Sequence, residues 1–256
     1  MRQPPAPASP APGAAPAPAP ARRRPALIVT YALLGVTSLV FLAQLGSEQL
    51  LGGDLIIAYG AKVNAFIAAG EYWRLVTPLF VHGSLLHFFF NMYALYNLGR
   101  QVEGLVGSLR LAVIYFYAGL AGSIASLYFT TAPSVGASGA IFGLIGTLAV
   151  LFYRNREVFG QRGRAMLQQI VIIAAVNLLF GLQGGIDNWA HMGGLAGGLL
   201  LSWVIGPVWQ VSWDPNQAGR PMLLDAQPLT ASRWALALLL LAALLSLFFG
   251  WLVWLA

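Results

Sequence analysis

Long apolar stretches repeat along the chain, and they decide what it can fold into. A helix crosses the core of a bilayer with about 20 consecutive apolar residues, and seven stretches approach that length. They are residues 26–45, 83–101, 110–130, 137–153, 166–182, 189–207 and 233–255. Charged residues make up only 9% of the 256 positions, against about 25% in a typical soluble domain. The sequence therefore predicts an all-α polytopic membrane protein whose surface mostly faces lipid.

The amino-terminal region differs in composition from the rest. Residues 1–25 are mostly Ala and Pro and end in a run of arginines, which predicts a disordered tail because such a segment cannot bury a core. The apolar stretch 26–45 is longer than the 7–15-residue core of a signal peptide and lacks a small-x-small cleavage site after it. We expect it to remain as the first span.

The arginines predict the orientation in the membrane. With a cytoplasmic amino terminus, the inner segments are 1–25, 102–109, 154–165 and 208–232. Together with the adjoining span ends they hold twelve arginines, whereas the outer side holds only Lys62 and Arg74. This bias follows the positive-inside rule. It accounts for the net charge of +6 and indicates a multi-pass cell-membrane protein with no nucleic-acid partner.

Two segments outside the spans are distinctive. Residues 46–75 are apolar but broken by glycines, and Tyr72 and Trp73 suit the headgroup level, so we expect this segment to lie in the interface. Residues 208–232 are expected to be loop-like. The predicted organisation is a tail (1–25), a six-span core (26–207), a cytoplasmic linker (208–232) and one additional transmembrane helix (233–255).

Polar side chains inside spans are costly and usually face the protein interior or a water-filled cavity. Ser138 and His191 fall near the starts of the fourth and sixth spans, which run in the same direction, so they are expected at similar depth. On the second span, His87 and Asn91 are four residues apart and share a helix face. His82 is nine residues before Asn91, which at 100° per residue places it on the opposite side.

Glycines accompany these polar residues. Gly139 and Gly143 are four apart, as are Gly194 and Gly198, and such small-residue faces let membrane helices approach closely. A serine–histidine hydrogen bond of about 2.6–3.2 Å needs that approach. Gly136 permits a tight turn before the fourth span, which would leave the amide of Ser138 among the free donors of a helix start, where it suits a developing oxyanion.

Each feature also has an ordinary structural explanation. A serine in a membrane helix usually bonds a backbone carbonyl, and a GxSG sequence alone is weak because the strand–turn–helix context of a hydrolase elbow is absent. Histidines near span ends often only anchor at the interface. The convergence of a serine, a histidine and an amide donor at one level favours catalysis.

With these residues in this order, the sequence resembles the rhomboid family of intramembrane serine proteases. The matching elements, in order, are "EYWRLVTPLFVHGSLLHFFFN", "GRQVEGLVG", "GASGAIFG" and "AHMGGLAGG", and they extend over about residues 58–200. The resemblance implies a six-helix core, here followed by one further helix. It also implies that Ser138 is the nucleophile, that His191 is its base, and that His87 and Asn91 contribute to the oxyanion hole.

The resemblance assigns structural roles to the remaining motif positions. Trp73 and Arg74 match the WR pair of the interfacial loop. Gly99, Glu103 and Gly107 match a GxxxExxxG element at the inner end of the second span. His82 matches a further histidine whose role is open.

Asp187 lies four residues before His191 and could complete a triad. The alternative, which we favour because the family uses a dyad, is that it caps the start of the sixth span.

The expected function is hydrolysis of peptide bonds in or near transmembrane segments of single-span or other membrane proteins, within the bilayer and at a site open to the extracytoplasmic side. No metal or cofactor is expected. One rival is a catalytically inactive rhomboid-like protein that binds membrane clients. Another is a transporter or channel, which predicts a path through both leaflets and an inverted repeat; the sequence has no clear repeat, and its polar residues cluster on one side.

Overall fold

The computed structural model describes residues 27–182, 184–214 and 220–255, and these are mostly helical. The α-helices are α1 (Ile28–Leu51), α2 (Leu55–Gly60), α3 (Asn64–Ala68), α4 (Leu85–Ala94), α5 (Arg100–Val106), α6 (Ser108–Phe129), α7 (Ser138–Arg154), α8 (Arg156–Gly181), α9 (Asn188–Ile205) and α10 (Ala231–Leu255). Two 3-10 turns, Tyr72–Leu75 and Thr77–Phe80, follow α3, and a π-helical turn, Leu95–Gly99, joins α4 to α5. The predicted tail, 1–25, lies outside the described residues.

Every predicted apolar stretch falls on a helix, or on the continuous run from α4 to α5. Among the described residues, α1, α6, α8 and α10 are long and apolar enough to cross a membrane by length and composition, and α7 is a shorter apolar helix. The protein is therefore a multi-pass helical membrane protein. α8 begins at Arg156, ten residues before the predicted stretch 166–182, and its backbone departs from helical geometry at Gly160, where φ is +54°.

The linker 208–232 is not simply loop-like, and that prediction was wrong. It contains an antiparallel hairpin of β1 (Trp209–Asp214) and β2 (Arg220–Asp225), in which Val211 pairs with Leu223. The strand β1 reads WQVSWD, with apolar residues at every second position, and this alternation is typical of a strand. Residues 215–219, between the strands, lie outside the described residues.

Three helices, α6, α7 and α9, pack against each other to form the centre of the protein. Side chains such as Ile114, Leu144, Leu148 and Leu201 are almost fully buried there. A helix that is apolar on all sides belongs in a core or in lipid, and α7 lies in the core. By contrast, α1, α8 and α10 expose many large apolar side chains, as expected for helices that face acyl chains.

Glu103 holds the start of α1 in place. Its carboxylate accepts hydrogen bonds from Val29 N (2.9 Å), Thr30 N (2.8 Å), Thr30 Oγ1 (2.6 Å) and Ser108 Oγ (2.6 Å). Amides at a helix start have no intrahelical partner, and a carboxylate there also interacts favourably with the helix dipole. Glu103 is fully buried and thus supplies the cap of α1 from α5.

Candidate active site

Ser138 is the first residue of α7. The chain turns into this helix at Gly136, whose φ is +118°, a conformation that is strained for residues with a Cβ. The Gly136 amide donates to Pro78 O at 2.8 Å, which fixes the turn to the segment before α4. A Cβ at Gly136 would also lie 2.7 Å from Nε2 of His87 and 3.8 Å from Oγ of Ser138, so only glycine leaves room here.

His191 reaches Ser138 from the first turn of α9. Its Nε2 lies 2.8 Å from Ser138 Oγ, a hydrogen-bond distance. The imidazole stacks on Phe142 of α7 with ring centroids 4.3 Å apart, and the residue is 7% exposed. The serine and the histidine, which the sequence places on separate helices, are therefore in direct contact.

Glycines make this contact possible. A Cβ added at Gly143 would lie 3.2 Å from the carbonyl oxygen of Gly194. A Cβ at Gly194 or Gly198 would overlap the backbone of Gly139 or Gly143, respectively. The backbones of α7 and α9 therefore touch along both predicted glycine pairs, as small-residue faces allow in membrane helices.

Asp187 does not bond the histidine side chain. One carboxylate oxygen accepts from Ala190 N at 3.0 Å and caps α9, while the other accepts a hydrogen bond from Ser126 Oγ of α6. Among the described residues, Nδ1 of His191 has no hydrogen-bond partner. The geometry is that of a serine–histidine pair with a capping aspartate.

His87 and Asn91 both lie on α4. The ring of His87 flanks Gly136, two residues before Ser138. The side-chain amide of Asn91 instead donates to His87 O at 2.9 Å, within its own helix. The structure thus brings His87 to the serine and leaves the Asn91 amide engaged with backbone.

His82 does not lie on the opposite side of α4 from His87, and that expectation was wrong. The helix begins at Leu85, after the cap residue Ser84, so helical periodicity does not extend back to position 82. The rings of His82 and His87 meet edge to face with centroids 5.1 Å apart. His82 is 1% exposed, and Gln44 of α1 bonds its backbone N and O at 3.0 and 2.9 Å.

The other motif residues organise the surroundings. Arg74 is buried and donates from Nη1 to Ala58 O and Ala61 O, both at 2.8 Å, and Trp73 Nε1 donates to Tyr59 O at 3.2 Å. Both therefore fix the segment between α1 and α4. Gly99 packs against Thr30 of α1, and Gly107 ends α5 with φ +84°, beside the Glu103 cap.

The sequence analysis noted Lys62 only as a charged residue and gave it no structural role. It is the only lysine of the chain and is 1% exposed. Its Nζ donates to Asn64 Oδ1 (2.9 Å), Ala132 O (3.0 Å) and Thr130 O (3.3 Å). Burial lowers the pKa of this ammonium from 10.5 to about 8, and nearby Asp187 partly offsets the decrease. A basic residue inside an otherwise apolar segment was the available signal.

The backbone of Lys62 fixes the segment that leads to Ser138. It exchanges two hydrogen bonds with Ser134, of 2.9 and 3.0 Å. A cavity of about 20 Å³ lies beside Ser138 and is lined by Lys62, Ser123, Ser126 and Ser138 itself. This is about the space of one water molecule. No group of three or more His, Asp or Glu in the described part of the chain has a metal-binding arrangement.

Comparison with known proteins places this arrangement in context. A family model described as the Rhomboid domain matches residues 69–208. Rhomboid protease GluP of Bacillus subtilis (strain 168) is 40% identical over 178 residues, which is 69% of this chain and 34% of that protein. RHOMBOID-like protein 9, chloroplastic, of Arabidopsis thaliana is 34% identical over 62% of this chain and 37% of its own length.

A third relative gives a similar match. RHOMBOID-like protein 7 of Arabidopsis thaliana is 36% identical over 57% of this chain and 47% of its own length. The chain thus spans between about a third and a half of the length of these curated relatives.

Proposed function

Because the chain belongs to the rhomboid family, we propose that it is an intramembrane serine endopeptidase that cleaves membrane proteins in or near their transmembrane segments. Ser138 is the nucleophile and His191 its general base. The observation that supports this most is the 2.8 Å contact between Ser138 Oγ and His191 Nε2. A serine is weakly nucleophilic unless an adjacent base activates it, and this contact supplies the base.

Ser138 gives up its proton at the start of the reaction and regains a proton at the end. Nε2 of His191 takes the Ser138 proton as Oγ attacks the carbonyl carbon of the scissile peptide bond. The imidazolium then gives this proton to the leaving amine, and an acyl enzyme remains. Water attacks the ester with His191 again as base, and the proton returns to Ser138 Oγ as the carboxylic acid leaves. No metal or cofactor enters this scheme.

The oxyanion is stabilised by donors around the start of α7. The amide of Ser138 is one, because the first amides of a helix have no intrahelical acceptor. The imidazole of His87 and the side-chain amide of Asn91 are the others. Since Asn91 donates to His87 O in the free enzyme, its side chain has to rotate toward the substrate. Loss of one such donor typically costs about 100–1000-fold in turnover.

The proposed arrangement in the membrane is six helices plus one. Residues 26–207 form the catalytic core, with α4 to α5 acting as one span, residues 208–232 form a linker, and α10 is the additional helix. The amino terminus, with its 1–25 tail, lies in the cytoplasm of a cell-membrane protein. Ser138 and His191 then open toward the extracytoplasmic side, which agrees with the distribution of arginines.

The substrates are single-span or other transmembrane proteins that reach the site through the bilayer. A helix hides its carbonyls in its own hydrogen bonds, so a substrate containing Gly or Pro near its outer end unwinds at lower cost. By its resemblance to the family, the chain is proposed to use the loop before α9 as a cap over the site. Gly184 and Gly185 in this loop have φ of +90° and +77°; Gln183 lies outside the described residues.

A fluorophosphonate probe and a panel of single-span substrates test the proposal with the reconstituted protein. We expect Ser138 to be labelled, labelling and cleavage to be absent in Ser138→Ala, and both to fall sharply in His191→Ala. Ser123→Ala is the matched control, since Ser123 is a buried serine of α6 that lines the same cavity. Labelling that persists in Ser138→Ala would refute the assignment. A folded protein that is neither labelled nor active would instead be a client-binding rhomboid-like protein.

A further inference from the structure

An apolar groove opens between α7, α8 and α9 at the end of the helices remote from Ser138. Its volume is about 410 Å³, and it is lined by apolar residues including Ala149 and Tyr153 of α7, Leu167 of α8, and Leu199 and Trp203 of α9. Tyr153 is 15 residues after Ser138, or about 22 Å along the helix. The groove is therefore separate from the proposed active site and lies near the other face of the membrane.

Two exposed aromatic rings form one end of the groove. Tyr153 and Trp203 are 51% and 52% exposed, and their ring centroids are 6.2 Å apart. Tyrosine and tryptophan are enriched at the membrane–water interface, where one end of the side chain is apolar and the other is hydrated. These rings place the end of the groove at the headgroup level.

An arginine lies over each ring. The guanidinium of Arg154 is 5.0 Å from the centroid of the Trp203 ring, and that of Arg156 is 5.4 Å from the centroid of Tyr153. Arg154 is also held by Trp203 O at 2.7 Å and by Gln227 Oε1 at 2.8 Å. A cation–π contact fixes the plane of a guanidinium, and Arg154 keeps one further N–H on each of Nη1 and Nη2 for an anion. Two oriented cations therefore border the mouth of the groove.

The surrounding charge is mostly positive: Arg233 and Asp225 both act on Arg154, and Asp225 is itself paired with Arg110 at 2.7 Å. Residues 154–164 contain four arginines and one acidic residue, Glu157. Arg164 is exposed and precedes Leu167 of the groove by three residues, so the two are neighbours on the surface of α8. This excess of cations is complementary to an anionic headgroup, and the apolar groove beside it is complementary to a hydrocarbon chain.

We propose that this groove binds an anionic phospholipid, with the first part of an acyl chain between α7, α8 and α9 and the phosphate against Arg154 and Arg156. Basic pockets between transmembrane helices bind anionic headgroups in this way. The two features are adjacent, and one lipid molecule contacts both. A soluble phosphate would use only the arginines, and a neutral lipid only the groove.

Native mass spectrometry of the full-length protein tests the proposal in mixed micelles of equimolar phosphatidylglycerol and phosphatidylcholine. We expect the wild type to retain phosphatidylglycerol in preference to phosphatidylcholine. Arg156→Gln should weaken phosphatidylglycerol binding about fivefold, the usual effect of one interfacial arginine. Ala149→Phe, which fills the groove, should weaken binding of both lipids. Added inorganic phosphate at millimolar concentration should not displace the lipid.

Arg100→Gln is the matched control. Arg100 is exposed and lies 4.6 Å from the centroid of the Tyr96 ring, the same kind of contact outside the groove, and its loss should leave lipid binding unchanged. Equal retention of the two lipids by the wild type, or unchanged binding in Arg156→Gln and Ala149→Phe, would overturn the proposal. The wild type could instead form dimers that carry no bound lipid and that Ala149→Phe abolishes. That result would assign the groove to a second copy of the chain and would also overturn the lipid proposal.

Discussion

At the scale of single residues, Asp187 decides whether the proposed site is a dyad or a triad. Its position four residues before His191 allows either. In the folded protein, one carboxylate oxygen caps α9 at Ala190 and the other binds Ser126. The carboxylate thus stabilises the start of the helix that carries the histidine, and His191 is oriented by its stacking on Phe142.

We therefore expect Asp187→Asn to reduce turnover by less than about tenfold, because asparagine is also a good N-cap. Replacing a true triad aspartate by asparagine costs about 10⁴-fold. Initial rates on a single-span substrate, with Ser138→Ala as the blank, measure the difference. Asp187→Ala removes the cap and should lower stability by about 1 kcal/mol. A loss of thousands-fold in Asp187→Asn, in a protein of unchanged melting temperature, would show that the carboxylate acts on His191.

Some residue contacts could be predicted from the sequence, and others could not be predicted from it. Parallel direction and equal depth predicted that Ser138 and His191 could meet, and they lie at hydrogen-bond distance. Helical periodicity failed for His82 because the chain is not yet helical at that position. The hydrogen bonds of Lys62 to Thr130 and Ala132 span about 70 residues, and no local pattern predicts partners at such separation.

At the scale of elements, the glycine pairs of α7 and α9 set how closely these helices approach. Overpacking a tight interface usually costs about 1–3 kcal/mol. A Cβ at Gly198 would overlap the Gly143 backbone, and backbone atoms cannot move aside as a side chain can. We expect Gly198→Ala to separate the helices, lower the melting temperature and reduce fluorophosphonate labelling of Ser138 at least tenfold.

Gly35→Ala is the control for that prediction. Gly35 lies within α1, and a Cβ there would meet nothing within 4 Å. Alanine favours a helix over glycine by up to about 1 kcal/mol, so this variant should be as stable as the wild type or more so, with full labelling. If Gly198→Ala and Gly35→Ala have the same melting temperature and the same labelling of Ser138, close approach of α7 and α9 is not required.

Lys62 connects the segment between α1 and α4 to the residues before α7 through its bridge to Ser134, and its titration should affect stability. Its pKa is about 8 in the folded protein against 10.5 as the ordinary value. The folded state thus binds this proton less tightly than the unfolded state, so stability rises with pH between these two values. Relative to Lys62→Met, the wild type should gain thermal stability from about pH 8 to pH 10.5 and show a constant difference below pH 8. If the difference in melting temperature between the wild type and Lys62→Met does not vary between about pH 7 and pH 11, the expectation is wrong.

At the scale of the whole molecule, α10 is attached to the side of the structure. Two tyrosines of α6 hold it, with Tyr117 Oη donating to Leu240 O at 3.3 Å and Tyr128 Oη to Leu247 O at 2.6 Å. The pair Ser138 and His191 lies on α7 and α9. Removing α10 should therefore leave the proposed chemistry intact.

We expect a protein truncated after residue 229 to retain Ser138 labelling within about threefold while its melting temperature falls, because α10 buries Phe248 and Trp251 against the rest of the molecule. This truncation keeps the hairpin and Gln227, which bonds Arg110 and Arg154. Labelling by the fluorophosphonate and thermal melting measure the two effects. If labelling disappears although the truncated protein is folded, α10 has a direct part in forming the site.

The overall architecture was more predictable than its connections. Apolar length is a strong signal for membrane helices, and all seven stretches proved helical. The hairpin in the linker was missed because β1 spans only six residues, too few for its alternation to stand out. The extension of α8 back to Arg156 was missed because those ten residues contain three arginines and a glutamate, so they do not read as an apolar span.

The carboxylate of Glu103 has a consequence for biosynthesis. It supplies acceptors to the amides of Val29 and Thr30, which precede it by 74 and 73 residues. At about 5–20 residues per second, a ribosome needs roughly 4–15 s to make the chain between them. During that interval these amides at the start of α1 lack the carboxylate that accepts from them in the folded protein. The cap of α1 can therefore form only after α5 has been made, so the first long helix of the described chain is capped late.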